Sequence, residues 1–531
     1  MKTPKVSALR LLPKCPRNDM RSSFATRRVV RTSGSQLRGF HGARSLPKRS
    51  APEDSRRVES IQKYSTRQPR HRKAGPQPPK EETLASATPP PKIAHPKPVS
   101  NEVDILVDGI PRKFSPVLLR DLCNCPRCVD PSSKQKEFNT TEIPDDIQVS
   151  SVHQDAKHSQ VRLTWRNDVP RFNDEEHTTV LDLGTLRQLA QTGSPTTAPK
   201  LPDRVKWNDQ RFRQDVEDID YEDYMSNDSA LHKALLYLHT HGLLFLTNVP
   251  EQESSVATIA ERIGPVKNTF YGFTWDVRSV PQAKNVAYTS QDLGFHMDLL
   301  YLEQPPHLQF LHCIRASSAG GASTFTDSHR AALDLFKEDV GGFAALSKLP
   351  VNFHYNHAES GYYYHRSRSL IELKHPLFVG GSRAESVSKL IERAKRLGIA
   401  EADLDITQWI DNISWSPPFQ APFARKAAES LGHGPLKTTD EALSALNFNM
   451  GRYHALAKRF DQLIHRPEGV YERMMKPGEC VLFDNRRVLH ARTAFQVGDI
   501  GKERWLRGAY VDRDPYESKL RVLQEKLGNT P

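Results

Sequence analysis

The sequence predicts a mainly β protein with peripheral helices, built as a small β-rich domain followed by a larger barrel of the jelly-roll (double-stranded β-helix) type. Three observations lead there. Short strand-like runs recur through the second half of the chain, among them NVAYT, LQFLHCI, ASTFTD, ECVLFD and WLRGAYV. Helical periodicity is confined to a few stretches that fit the outside of such a barrel. Two polar or proline-rich tracts, 46–100 and 191–228, divide the 531 residues into candidate domains.

Residues 1–50 hold 13 Lys and Arg against a single acid, Asp19. The whole net charge of +12 therefore sits in the leader, and the remainder is balanced. A basic leader on a neutral body disfavours nucleic acid as a partner. The leader is rich in Arg and Ser and almost free of acid, which suits a mitochondrial transit peptide over 1–45 and a mitochondrial location. No run of 18 apolar residues occurs, so no membrane-spanning helix is expected. Residues 51–100 contain ten prolines, including PQPPK and TPPPK, and almost no large apolar side chains. Such a stretch cannot bury enough surface to offset its ordering entropy, and 46–100 reads as a disordered linker.

The first folded domain is expected over 101–190. DILVDGI alternates like a strand and turns at Asp108-Gly109, and Val117, Leu118, Leu119, Val161, Leu163, Trp165, Leu181 and Leu186 supply a core. Within it Cys123, Cys125 and Cys128 crowd into six residues. Three soft sulfurs at this spacing suit structural Zn(II), which takes four thiolate or imidazole ligands in a tetrahedron. His153, His158 and His177 are the candidates for the fourth ligand. His177 is preferred, since it follows the Trp165 strand, from which the chain can return to the cysteines. The polar stretch 191–228 reads as a second linker.

The second domain is expected over 229–520. Leu231, Ala234, Leu235 and Leu238 mark a helix ahead of the strand LLFLTNV, and a second helix over 254–263 stops at Gly264-Pro265. A helical insert at 384–397 places Val387, Leu390, Ile391, Ala394 and Leu397 on one face. Two histidines and one carboxylate hold Fe(II) on one side and leave the other positions open. His-x-Asp on one strand end supplies two of them, because residues i and i+2 face the same way. His153-Gln-Asp155, His296-Met-Asp298 and His357-Ala-Glu359 all fit that spacing. Only His296 lies in a run, GFHMDLLYL, that reads as a barrel strand entering a loop. His490, in VLFDNRRVLHARTAF, offers the third ligand, and Arg504 offers a bidentate partner for a dicarboxylate such as 2-oxoglutarate.

NTFYGFTWDV, NVAYTSQDLGFHMDLLYLEQPPHLQFLHCI, GGASTFTD and PGECVLFDNRRVLHAR followed by RWLRGAY make the second domain resemble the gamma-butyrobetaine and trimethyllysine hydroxylases. These belong to the taurine-dioxygenase-like Fe(II)/2-oxoglutarate oxygenases. LLRDLCNCPRC makes the first domain resemble their small zinc domain, and the likeness spans about 101–520. It implies that His296, Asp298 and His490 bind iron, that Arg504 with Ser323 nearby holds 2-oxoglutarate, and that Cys123, Cys125, Cys128 and His177 bind zinc. Tyr271, Trp275, Tyr288 and Tyr510 fall where those enzymes cage a quaternary ammonium on ring faces. Asn285 stands where the trimethyllysine enzymes tend to carry an acid, which favours butyrobetaine. The chemistry implied is hydroxylation of a small substrate by O2 coupled to conversion of 2-oxoglutarate to succinate, with ascorbate as reductant and a homodimer as the assembly. Leu299 replaces a usual tyrosine, and 412–420 reads NISWSPPFQ where asparagines are usual. The competing readings are trimethyllysine or another metabolite as substrate, and a non-catalytic zinc-containing interaction protein.

Overall fold

The computed structural model describes residues 101–527 apart from 156, 173–176, 193–200, 279–289, 318, 375–386, 397, 424–437 and 497–502. The transit-peptide and linker readings of 1–100 lie outside the described residues, as do Asn285 and Tyr288.

The first domain begins with the hairpin β1 (Val103–Val107) and β2 (Ile110–Phe114). Asp108 and Gly109 both have positive φ, 53° and 75°, as a two-residue turn with the twist of a hairpin requires. The strands β3 (Gln148–Asp155), β4 (Gln160–Arg166) and β5 (Thr178–Asp182) form an antiparallel sheet in that order. Ile105, Val107, Phe114, Leu119, Val161, Leu163, Leu181 and Leu186 make one core. Cys123, Cys128, Phe138, Ile143, Ile147, Val169 and Phe172 make another beside it.

In the second domain the strands are β6 (Ile219–Asp220), β7 (Leu243–Thr247), β8 (Thr274–Arg278), β9 (Leu293–His296), β10 (Leu308–Arg315) and β11 (Ser323–Asp327). The hairpin β12 (Pro350–His357) and β13 (Tyr362–Ser369) follows, then β14 (Ile371–Leu373), β15 (Ile410–Ile413), β16 (Val470–Arg473), β17 (Glu479–Asp484), β18 (Val488–Arg492) and β19 (Trp505–Val511). A six-stranded sheet runs β6-β7-β17-β10-β19-β8 and a four-stranded sheet runs β16-β11-β18-β9. They face each other through aromatic side chains: Phe325 of the smaller sheet meets Phe245 at 5.9 Å and Phe483 at 5.6 Å. Strand alternation explains both faces of β7. Leu243 and Phe245 point into this sandwich, while Leu244 and Leu246 join a core with residues of the helices Asp228–Thr240, Ser255–Ile263 and Arg513–Lys526. None of the described helices is long and apolar enough to cross a membrane.

The second linker is corrected from Leu201 onward. Helices Asp209–Asp215 and Tyr221–Ser226 belong to the folded body, and Trp207, Phe212 and Tyr224 are fully buried in it. The Trp207 indole donates to the His241 carbonyl at 2.6 Å, and the Tyr224 hydroxyl donates to that of Ile259 at 3.0 Å. A polar average concealed three widely spaced aromatic anchors. The 26-residue helix Thr439–Ile464, opened by a capping box of Thr438 and Glu441, was not anticipated either.

Candidate metal centres and active site

In the first domain the helix Pro116–Asp121 delivers Arg120 and, just beyond its end, Cys123, Cys125 and Cys128. His177 stands immediately before β5. Its Nε2 lies 3.5, 3.5 and 3.4 Å from the three Sγ atoms. One imidazole nitrogen has a single hydrogen-bonding position, so three equidistant sulfurs are not a hydrogen-bond set. They match a tetrahedron: bonds of about 2.3 Å to sulfur and 2.05 Å to nitrogen give an N···S edge of about 3.6 Å. His153 and His158 take no part. His153 is exposed, and His158 binds Asp155 at 2.6 Å. His177 Nδ1 contacts Asp168 Oδ2 at 2.8 Å, and Arg120 Nε donates to the other oxygen of the same buried carboxylate. That leaves Nε2 free to bind a metal.

The second cluster arises from sheet register. β9 and β18 pair so that His296 and His490 stand opposite each other, with ring centroids 4.1 Å apart. Asp298 follows two residues after His296, and its Oδ1 lies 3.5 Å from His296 Nε2. All three ligand atoms fall within 4.8 Å of one another. His296 Nδ1 donates to the Gly294 carbonyl at 2.9 Å, which leaves Nε2 facing the cluster. The Asp298 carboxylate also accepts from Gln309 Nε2 at 2.8 Å and from the Tyr510 hydroxyl at 2.7 Å, both on Oδ2. Burial opposes its charge, but His296, His490 and Tyr510 together outweigh burial and hold the carboxyl below its ordinary range. Burial, then the charge of His296, pushes His490 down to about 3, so its ring is neutral and able to ligate at neutral pH. The Nδ1 of His490 is buried with no hydrogen-bond partner among the described residues. This donor set fits a divalent iron.

A cleft opens onto these ligands. Arg504 and Ser323 both line it and both are buried. Burial, then the neighbouring Arg492, lowers Arg504 to about 10, so it stays charged at neutral pH. No carboxylate of the described residues pairs with it, and its guanidinium lies 5.5 Å from the Phe495 ring. A buried cation without a counter-charge is a place for an anionic ligand. Tyr271, Trp275 and Tyr510 also line the cleft. Trp275 and Tyr510 stack at 4.0 Å and 19°, so they present a two-ring slab rather than two opposed walls.

A profile of the taurine catabolism dioxygenase TauD, TfdA family matches residues 208–510, more than half of the chain. The chain belongs to this family. It is an enzyme, a dioxygenase of the Fe/2-oxoglutarate type. A second profile, the gamma-butyrobetaine hydroxylase-like N-terminal domain, matches 100–180. The dioxygenase is 33% identical to the protein named dioxygenase str8 of Strobilurus tenacellus over 420 residues, covering 76% of this chain and 84% of that one. It is 28% identical to the gamma-butyrobetaine dioxygenase of Pseudomonas sp., covering 78% and 92%. With the trimethyllysine dioxygenase of Meyerozyma guilliermondii it shares 24%, covering 80% and 93%.

Several supporting residues escaped the sequence reading. Asn485 is fully buried and clamps the Asp298 backbone, accepting from its N–H at 2.8 Å and donating to its carbonyl at 3.0 Å. The clamp holds Leu299 at φ 58°, a strained region for a branched residue, where it lines the cleft. Gly508 has room for no side chain, since a Cβ there would sit 2.3 Å from the Trp275 ring. Asn485 follows the strand CVLFD directly, which is its only sequence signal. Gln309 sits inside an apolar run, and a lone amide there was a cue that some buried group needs a donor.

Proposed function

We propose that the dioxygenase holds Fe(II) on His296, Asp298 and His490 and hydroxylates a small trimethylammonium carboxylate, most simply gamma-butyrobetaine to carnitine. The observation that carries the reading is the convergence, in one cleft, of this buried ligand set with the uncompensated Arg504. When bound, the iron with 2-oxoglutarate and O2 supplies the oxidation, which yields succinate and carbon dioxide and places one oxygen atom on the substrate. Arg504 binds the distal carboxylate of 2-oxoglutarate through its guanidinium fork, with the Ser323 hydroxyl beside it. Tyr510 and Gln309 fix the Asp298 carboxylate, and Asn485 fixes its backbone. The ring faces of Tyr271 and of the Trp275–Tyr510 slab attract a quaternary ammonium, which has no N–H to donate. Leu293, Leu299 and Leu311 keep water from the reacting carbon.

Support for butyrobetaine comes from the N-terminal profile match and from the named relatives. Trimethyllysine is the alternative that the second relative suggests. Zn(II) on Cys123, Cys125, Cys128 and His177 is proposed to hold the first domain together. Ascorbate would maintain ferrous iron, residues 1–45 would direct the chain to mitochondria, and the protein would work as a homodimer. The test supplies purified protein with Fe(II), ascorbate and 2-oxoglutarate, and follows succinate and a 16-unit mass gain on butyrobetaine and on trimethyllysine by mass spectrometry. Hydroxylated butyrobetaine with matching succinate, abolished by His296→Ala, is expected. Succinate with neither product would overturn the substrate, and no succinate would overturn the iron assignment.

A further inference from the structure

The part of the cleft lined by Tyr301 and Phe419 carries chemistry that a compact zwitterion does not use. Segment 412–419 is tied to the iron-ligand strand, because the Met297 N–H donates to the Trp415 carbonyl at 2.8 Å. Its polar side chains are turned inward. Asn412 Nδ2 donates to Glu372 at 2.8 Å and the Ser414 hydroxyl donates to it at 2.5 Å, while Arg368 neutralises Glu372 at 2.9 Å. Arg368 Nε spends a further donor on the Leu300 carbonyl. What this segment offers the cleft is the ring of Phe419.

Phe419 meets Tyr301, a second lining residue, edge-on at 5.2 Å. Behind them Tyr301 packs on Tyr355 at 5.5 Å and on Phe270 at 6.2 Å, and Phe270 stacks on Tyr364 at 5.1 Å. Phe419 is held in place by its neighbours, since the Ala421 N–H donates to the Asn352 carbonyl of β12 at 2.8 Å. Burial keeps the Tyr301 phenol far above its ordinary range, so it contributes no charge. The two arginines that do reach the cleft, Arg492 and Arg504, both lie against Phe495, 4.8 and 5.5 Å from its ring. They belong to the anion end. Among the described residues that line the cleft there is no further arginine or lysine to receive a second carboxylate, and Arg368 beside Tyr301 is engaged by Glu372 and by the Leu300 and Leu302 carbonyls.

We infer that the substrate carries an uncharged apolar group, aromatic by preference, which packs on Tyr301 and Phe419 while its reacting carbon lies at the metal. The inference rests on the dioxygenase reading of the cleft and not on butyrobetaine as its substrate; it develops the alternative of another small metabolite, one with a ring where butyrobetaine has its free carboxylate. Tyr301 and Phe419 line the same cleft as the metal-ligand set and Arg504, so a ring on them and 2-oxoglutarate at Arg504 would share one site. Edge-on and offset ring contacts would then extend the existing cluster by one member.

Equilibrium titration of the full chain tests this, in metal-free form and loaded with Mn(II) and 2-oxoglutarate. The probes are butyrobetaine, (4-phenylbutyl)trimethylammonium and the neutral 5-phenylpentanol. At least one phenyl probe should bind tenfold or more tightly than butyrobetaine. Phe419→Ala and Tyr301→Ala should each remove most of that preference, with Phe419→Leu intermediate and 2-oxoglutarate affinity unchanged. Butyrobetaine binding as tightly as both phenyl probes would overturn the inference, as would a phenyl preference that survives all three substitutions. Failure of the manganese-loaded protein to bind 2-oxoglutarate would instead contradict the iron-site reading, leaving the probe ranking in the metal-free protein to decide the aromatic wall.

Discussion

Tyr510→Phe isolates one hydrogen bond at the proposed iron site while preserving the ring. Burial, then the charge of Asp298, holds the Tyr510 phenol well above its ordinary range, so it keeps its proton and can only donate to the carboxylate. The hydroxyl reaches Asp298 Oδ2 at 2.7 Å, and Gln309 reaches the same oxygen at 2.8 Å. A hydrogen bond to a charged group contributes about 1.5–3 kcal/mol. Loss of a residue that orients a metal ligand typically costs about 10–100-fold in affinity, or roughly 1.4–2.7 kcal/mol. The two ranges agree. Gln309 remains on the same oxygen, so the loss should fall in the lower half, about 10–30-fold. Anaerobic titration with Fe(II) or Mn(II) measures it, and indole fluorescence reports whether Trp275 still stacks on residue 510. Metal affinity within twofold of wild type, with the stack intact, would refute the idea that Tyr510 positions Asp298.

Asp168→Asn replaces by a neutral amide the buried carboxylate that contacts His177 Nδ1. Zinc affinity should fall about 10–100-fold in a chelator competition, and unchanged affinity would remove Asp168 from a role in orienting His177. Gly508→Ala places a Cβ 2.3 Å from Trp275 Cζ2. Overpacking of this kind costs about 1–3 kcal/mol, so thermal melting should drop and the Trp275 emission should change, whereas an unaltered melt would mean the indole moves without cost. His312 is buried in β10 with neither ring nitrogen hydrogen-bonded among the described residues, and burial pushes it down to about 4. Its folded pKa lies below the unfolded value of 6.5, so the unfolded chain binds the extra proton. Stability from this group is therefore complete above pH 6.5 and declines as pH falls toward 4, by about 1.4 kcal/mol per unit. His312→Leu should flatten the denaturation free energy against pH by one proton in that window, and an unchanged slope would contradict a neutral buried imidazole.

Much of the fold was legible because its signals are local. Asp108-Gly109 dictates a hairpin turn, and ECVLFD and WLRGAYV are apolar enough to be central strands. The spacings of the candidate metal ligands are local too: His296 and Asp298 lie two residues apart at the end of one strand, and the three cysteines crowd into six residues. His177 and His490 were reachable only by order along the chain, since their proximity is produced by sheet register. The remaining features are non-local. The Asn485 clamp spans 187 residues and the Tyr510–Asp298 bond spans 212, so no sequence window contains either. The stacking of Trp275 on Tyr510 depends on the missing side chain of Gly508, which a ring-by-ring reading of a cage cannot register. Trp207, Phe212 and Tyr224 were averaged away inside a polar stretch that turned out to be folded.

The most direct test of the iron-site assignment is anaerobic addition of Fe(II) and 2-oxoglutarate to the full chain, followed by visible absorption. The charge-transfer band of ferrous iron chelated by 2-oxoglutarate is expected in the wild type. It should be absent from His296→Ala, and in Arg504→Gln it should need roughly 30-fold or more additional 2-oxoglutarate. A band of full intensity in both variants at the wild-type concentration would contradict the assignment of His296, Asp298, His490 and Arg504 to this site.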